Sequence, residues 1–219
     1  MLEVNSIYLY RNKRQIFNNF TLNLKNKEII LITGDNGVGK TSLLDSISGL
    51  IEPQRGSVKI NGFHVSELGE RKKKSFLYLP HKNCLKENLT INENLESWFE
   101  LTGLKVKYED YQNKLKTFNL SNLQDKFINK LSHGQKKKVS LTKLLFSNTK
   151  LWLLDEPFNG IDIKSSDILK KIMHNHLMDG GSILFSSHLQ SNIKLTKKVI
   201  LKKVTNKLTS KSIDNWELL

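Results

Sequence analysis

The chain has 219 residues with 35 Lys and Arg against 21 Asp and Glu, a formal charge of +14 and a pI near 9.7. The lysines are spread along the whole sequence and few aromatics interleave with them, so no nucleic-acid site is expected; an anionic membrane surface or an acidic partner fits the charge equally. The single cysteine, Cys84, excludes an internal disulfide and fits a reducing compartment.

MLEVNSIYLY enters a strand-like pattern at once, with no basic start and long apolar stretch, so no secretory signal is expected. No run of about eighteen apolar residues occurs, so no transmembrane helix is expected either. Prolines 53, 80 and 157 are scattered, and no low-complexity linker or internal repeat divides the sequence. One globular unit over residues 1–219 is expected.

EIILIT, residues 28–33, reads as a buried parallel strand. A helix is predicted after it, with Leu43, Leu44, Ile47 and Leu50 on one face and Gly49 near its end. Between the two, Gly34, Asp35, Asn36, Gly37, Val38, Gly39, Lys40, Thr41 and Ser42 form a glycine-rich loop with the phosphate-binding spacing. Glycines let backbone N–H groups turn inward around phosphate oxygens, and the helix N-terminus adds a positive dipole end. Lys40 supplies a point charge, and Thr41 offers its hydroxyl to Mg²⁺.

Farther along, Leu95, Trp98, Phe99 and Leu101 form one apolar helical stripe, and Tyr108, Tyr111, Leu115 and Phe118 another. Most of these are expected in the core. Ser132 and Gln135 match a capping box at the start of a helix carrying Val139, Leu141, Leu144 and Leu145, and Gly134 at that start exposes N–H groups to an anion. LWLLDEP then reads as a strand ending in two acids. A phosphate loop needs one carboxylate to hold Mg²⁺ and another to orient and deprotonate water; Asp155 is assigned to the metal and Glu156 to the water. A helix through Ile168, Leu169, Ile172, Met173 and Leu177 ends at Gly180-Gly181, and the strand 182–187 is closed by His188, placed to donate to a terminal phosphate.

In this order the motifs resemble the nucleotide-binding subunit of ABC transporters: GDNGVGKT the Walker A loop, LSHGQ the signature, LWLLDEP Walker B, FNGID the D-loop with Asp162, and Ser187-His188 the switch histidine. The resemblance implies an α/β P-loop fold with a mostly parallel central sheet, an antiparallel β-subdomain and a helical subdomain at about residues 82–130. It implies ATP and Mg²⁺ as ligands, bound between two copies arranged head to tail. Lys40, Thr41, Asp155, Glu156 and His188 of one copy would face Ser132, His133, Gly134 and Gln135 of the other. Tyr10, or alternatively Tyr8, lies near the family's adenine-stacking aromatic. His81 stands where the family usually has glutamine.

His81, the LS-x-GQ signature without a second glycine, ITG before the loop and LW-LLDEPF make the chain most similar to the ATP-binding subunits of haem exporters in cytochrome c maturation. That resemblance implies integral membrane subunits as partners, with haem met through a partner. It also implies peripheral attachment to an inner membrane, on the cytoplasmic face in a bacterium or the matrix face in a mitochondrion. Another exporter's ATPase, for lipoprotein or drug, is the nearest alternative. A soluble ribosome- or DNA-associated ABC ATPase is more distant, because the chain has neither tandem domains nor sustained heptads.

Overall fold

The computed structural model describes residues 1–12, 14–188 and 193–204. The strands form two sheets, interleaved in sequence. The first is antiparallel, built from β1 (Leu2–Arg11), β2 (Arg14–Leu24), β4 (Arg55–Ile60) and β5 (Phe63–His64), in the order β2-β1-β4-β5. The second is parallel and comprises β3 (Ile29–Thr33), β6 (Leu77–Leu79), β7 (Leu151–Leu154), β8 (Ser182–Ser186) and β9 (Lys197–Ile200), in the order β6-β7-β8-β3-β9.

The central strands IILIT, LWLL and SILFS are buried on both faces, as parallel strands covered by helices require. Alternation sends their side chains to two cores. Ile29, Leu31, Trp152, Leu154, Ile183 and Phe185 pack on one side. They meet the helices α3 (Ile91–Thr102), α4 (Tyr108–Thr117), α5 (His133–Phe146) and α6 (Ile163–Met178). Ile30, Ile32, Leu151, Leu153 and Leu184 pack on the other side, against α1 (Lys40–Ile47) and the antiparallel sheet. A short helix, α2 (Lys72–Ser75), leads into β6.

Within residues 82–130, α3 and α4 are followed by short 3₁₀ turns at Ser121–Leu123 and Ile128–Lys130. A reciprocal capping box between Thr90 and Glu93 starts α3, and Gly103 in the left-handed region ends it. Leu95, Phe99, Leu115 and Phe118 are buried as expected from their spacing, but Leu101 and Tyr108 are 61% and 74% exposed. Leu50 is exposed as well, because α1 stops at Ile47 and the chain turns at Gly49 before Leu50 can share its face.

His176 on α6 stacks on Trp152 at 3.6 Å and 8°. Burial lowers its pKa from 6.5 to about 4, although backbone groups of Lys150 and Ser182 pull it upward. The ring is therefore neutral in the folded chain at neutral pH. An unfolded histidine takes up its proton near pH 6.5, so this contribution to stability is complete above that pH and is lost as pH falls towards 4. The loss should be about 1–2 kcal/mol after solvent screening. Thermal midpoints measured across this range should fall more steeply for the native chain than for His176→Phe.

Candidate active site

Four neighbouring strands deliver their C-terminal ends to one edge of the parallel sheet. β6 leads to His81, β7 to Asp155 and Glu156, β8 to His188, and β3 to the glycine-rich loop. Ligands of open α/β sheets bind at this edge because the loops there leave a crevice and the following helix presents its N-terminus. A cleft of about 550 Å³ lies there, lined by loop residues Asn36, Gly37, Gly39, Lys40, Thr41 and Ser42. Asp155, Glu156, Asn159, His188, His81, Arg11 and Ile16 complete the lining.

The loop is preshaped by its own sequence. Gly39 caps α1 in the left-handed region, with φ of 114°, and a Cβ there would stand 2.4 Å from Ile16 Cγ2. Lys40 is 7% exposed; its Nζ donates to the carbonyls of Gly34 at 2.9 Å and Asp35 at 3.2 Å. Those contacts hold the ammonium across the mouth of the loop. Burial lowers its pKa, while Glu156, Asp155 and Asp35 draw it back up. Gly34, Asp35 and Val38 are not in the lining: the first two lend carbonyls to Lys40, and Val38 is core.

Asp155 is nearly inaccessible, at 1% exposure. Its Oδ2 accepts from the Thr41 hydroxyl at 2.7 Å and its Oδ1 from the Ser186 hydroxyl at 2.5 Å. Ser186 in turn accepts from the Glu156 backbone N–H at 2.9 Å. One serine thus ties the metal-side carboxylate to the backbone of the next acid. That backbone is itself unusual: Glu156 has φ of 46°, sparsely populated for a residue with a Cβ. The turn aims its side chain at His188. His188 N–H donates to Glu156 Oε2 at 3.3 Å, and Nε2 stands 3.3 Å from Oε1 without the alignment of a hydrogen bond.

His81 reaches the cleft, where its Nε2 lies 3.5 Å from Asn159 Nδ2. Tyr10 does not line it. Register shifts in the β1–β2 pairing, one between Ile7 and Leu9 and another between Leu9 and Tyr10, leave that ring 46% exposed outside the cleft; Tyr8 does not line it either. Arg11 occupies the edge instead, with Nη1 donating to Ser42 Oγ at 3.4 Å. A planar guanidinium can stack on a base or pair with a phosphate. Arg11→Ala should weaken ATP binding roughly 3- to 10-fold, and Tyr10→Ala should change it less; titration with a fluorescent ATP analogue would rank the two.

Ser132, His133, Gly134 and Gln135 lie away from this lining. Ser132 caps α5: its Oγ accepts from Gln135 N–H, and Gln135 Oε1 accepts from Ser132 N–H at 2.9 Å. The turn is packed against the segment that follows the two acids, so closely that a Cβ on Gly134 would stand 2.9 Å from the carbonyl of Gly160. Asp162 caps α6 through Ser165 N–H and pairs with Lys138 of α5 at 2.5 Å, which holds its carboxyl well below the usual range. It too lies outside the cleft lining and joins the signature helix to the segment after Glu156.

A phosphate loop, a buried acid paired with the loop hydroxyl and a second acid facing a histidine define a nucleoside triphosphate site of the P-loop class. The sequence matches the ABC transporter family over residues 17–159, and the chain belongs to that family. It is similar to the cytochrome c biogenesis ATP-binding export protein CcmA of Reclinomonas americana, 38% identical over 94% of this chain and 92% of the relative. To the CcmA of Dechloromonas aromatica (strain RCB) it is 34% identical over 88% of this chain and 95% of the relative. Among solved structures, the ATP-binding subunit of an ABC transporter shares 29% identity at a TM-score of 0.78, covering 86% of this chain and 80% of the other. A dimeric ATP-binding cassette bound to ADP and Pi shares the fold at a TM-score of 0.77 and 22% identity, over 86% and 88% of the two chains.

Proposed function

We propose that the chain is the ATP-hydrolysing subunit of an ABC transporter serving c-type cytochrome biogenesis, and that it works as a head-to-tail pair. The observation that carries the pairing is the division of the site. The loop, both acids and His188 share one cleft, whereas the anion-ready turn at Ser132–Gln135 stands outside it. A second copy turned end for end would bring its own Ser132 and Gly134 to the phosphates.

ATP enters with its phosphates against the N–H groups of residues 36–42 and the Lys40 ammonium. Thr41 and Asp155 would hold Mg²⁺, a hard cation suited to their hydroxyl and carboxylate oxygens. When bound, that ion would neutralise charge developing on the phosphates. Glu156, fixed through Ser186, takes a proton from the attacking water, and His188 donates from Nε2 to the terminal phosphate. Loss of that phosphate removes what held the two copies together, and their separation resets the membrane partner.

The assignment to cytochrome biogenesis rests on likeness to the CcmA proteins along most of the chain. Among the described residues no helix is long and apolar enough to cross a membrane, so substrate, with haem as the proposed cargo, is met through integral subunits. Attachment at the inner face of an energy-transducing membrane, bacterial or mitochondrial, follows from that assignment. Affinity purification from native membranes should recover integral subunits, and Glu156→Gln in the native host should deplete c-type cytochromes. Normal cytochrome levels together with recovery on ribosomes or with a different exporter would overturn the reading.

A further inference from the structure

The first turns of α5 carry three consecutive lysines, Lys136, Lys137 and Lys138, each in a different setting. Lys136 pairs with Glu87 at the surface, and Lys138 pairs with Asp162. Lys137 is only 4% exposed, and its ammonium has no hydrogen-bond or ion-pair partner among the described residues. A cation so deep in the fold has a desolvation cost that a compensating charge must offset.

Helix spacing shows which way it faces. Gly134, Lys137, Lys138 and Leu141 fall at i, i+3, i+4 and i+7, on one side of α5. Gly134 packs against the carbonyl of Gly160, Lys138 holds Asp162, and Leu141 shares a core with Leu154 and Phe158. That side of the helix is therefore turned to residues 154–162, the segment that contains both acids. Burial lowers the pKa of Lys137, and the charges that oppose it are those of Asp155 and then Glu156.

The acids in turn lack a close cation. Asp155 and Glu156 are both buried, and among the described residues neither is paired with a lysine or arginine. Asp155 receives hydroxyl donors, and Lys40 directs its hydrogen bonds to the carbonyls of Gly34 and Asp35. The two carboxylates are thus balanced at longer range, by Lys40 within the cleft and by Lys137 outside its lining. Charges buried in this way act over several ångströms with little screening by salt. A divalent cation brought to Asp155 would meet the Lys137 ammonium as a competitor for the same negative charge.

We infer that Lys137 is a positioning residue of the hydrolysis site, a built-in counter-ion to Asp155 and Glu156 that opposes the metal and transmits its arrival to the signature helix. Metal at Asp155 leaves the ammonium without its balancing charge, and the first turns of α5 loosen from the segment that carries the acids. The inference rests on the proposed placement of Mg²⁺ at Thr41 and Asp155.

The probe is Mn²⁺, a paramagnetic substitute for Mg²⁺, titrated into the full chain with saturating ADP and followed by electron paramagnetic resonance. Lys137→Met should bind Mn²⁺ about 3- to 10-fold more tightly than the native chain, and the gain should persist at high salt because the cation is buried. Lys137→Arg keeps the charge and should match the native affinity, as should Lys136→Met, which removes the neighbouring charge at the surface. Lys137→Gln serves if methionine disturbs folding. Hydrogen exchange over residues 133–141 should quicken when Mn-ADP binds the native chain and should not respond in Lys137→Met. Unchanged or weaker Mn²⁺ binding by the neutral variants is what a purely packing role gives, and it would overturn the inference. So would an equal gain in Lys136→Met, or exchange that responds alike in the native chain and Lys137→Met. A native chain that binds no Mn²⁺ with ADP, or binds it as well after Asp155→Asn, would instead remove the metal placement itself.

Discussion

Replacing Glu156 by glutamine is expected to slow ATP turnover by about 10²- to 10⁴-fold while leaving ATP binding intact. The substitution keeps the size of the side chain and the backbone bond from Glu156 N–H to Ser186, so the strained turn should survive. What is lost is the anion that takes the proton of the attacking water. With hydrolysis stalled, the terminal phosphate stays at the seam, and ATP should drive the variant into a long-lived dimer. Light scattering after gel filtration, with and without Mg-ATP, would show it. Turnover at the native rate would take Glu156 out of the proton-transfer role.

The second large effect is expected from Asp155→Asn. The buried carboxylate receives two hydroxyl donors, from Thr41 and Ser186. An amide has only one oxygen to offer them, so one of the two hydroxyl protons loses its acceptor and faces an N–H₂ group instead. The mismatch should cost about 1–3 kcal/mol of stability. Removal of the charge should also raise the Mg²⁺ concentration needed for half-maximal hydrolysis and depress the maximum by about a hundredfold. Titration of activity with Mg²⁺ separates these effects from simple unfolding, which would lower the maximum without moving the midpoint.

Much of this site was legible because its parts are local. The run from Gly34 to Ser42 carries strand end, loop and helix start in one stretch, and the two acids directly follow an apolar strand, so the acids took on meaning once the loop stood beside them. The contributions of Ser186, Arg11 and Asn159 were not legible. Ser186 acts through the parallel register of β7 against β8, which places its hydroxyl between Asp155 and the Glu156 amide, and no local pattern encodes that pairing. Tyr10, expected near the adenine, lies outside the cleft lining for a related reason. Inward positions on β1 fall at Leu2 and Val4, then at Ile7 and Leu9, because the strand is irregular near Ser6, where φ is 47°. Simple alternation counted from Leu2 therefore cannot say which side chain meets the cleft.

The same limit explains the apolar residues that left the core. Leu101 and Tyr108 satisfy a helical stripe, yet each sits near a helix end, beyond reach of the neighbouring layer. Leu101 stays exposed beside a shallow groove that Leu77, Trp98 and Lys143 also line. Periodicity reports which residues share a face; it does not report how far that face is covered.

Division of the triphosphate site between two copies can be tested by mixing two inactive variants. Lys40→Ala disables the phosphate loop, and Ser132→Asp keeps a helix-capping side chain while placing a carboxylate at the turn that would face the partner's phosphates. Each alone should hydrolyse little ATP. In a mixed dimer, one interface carries both lesions and the other carries neither, so ATPase activity should return on mixing, in proportion to the mixed species. No recovery despite demonstrated mixed dimers, or full activity of Ser132→Asp as a monomer, would contradict a site shared by two chains.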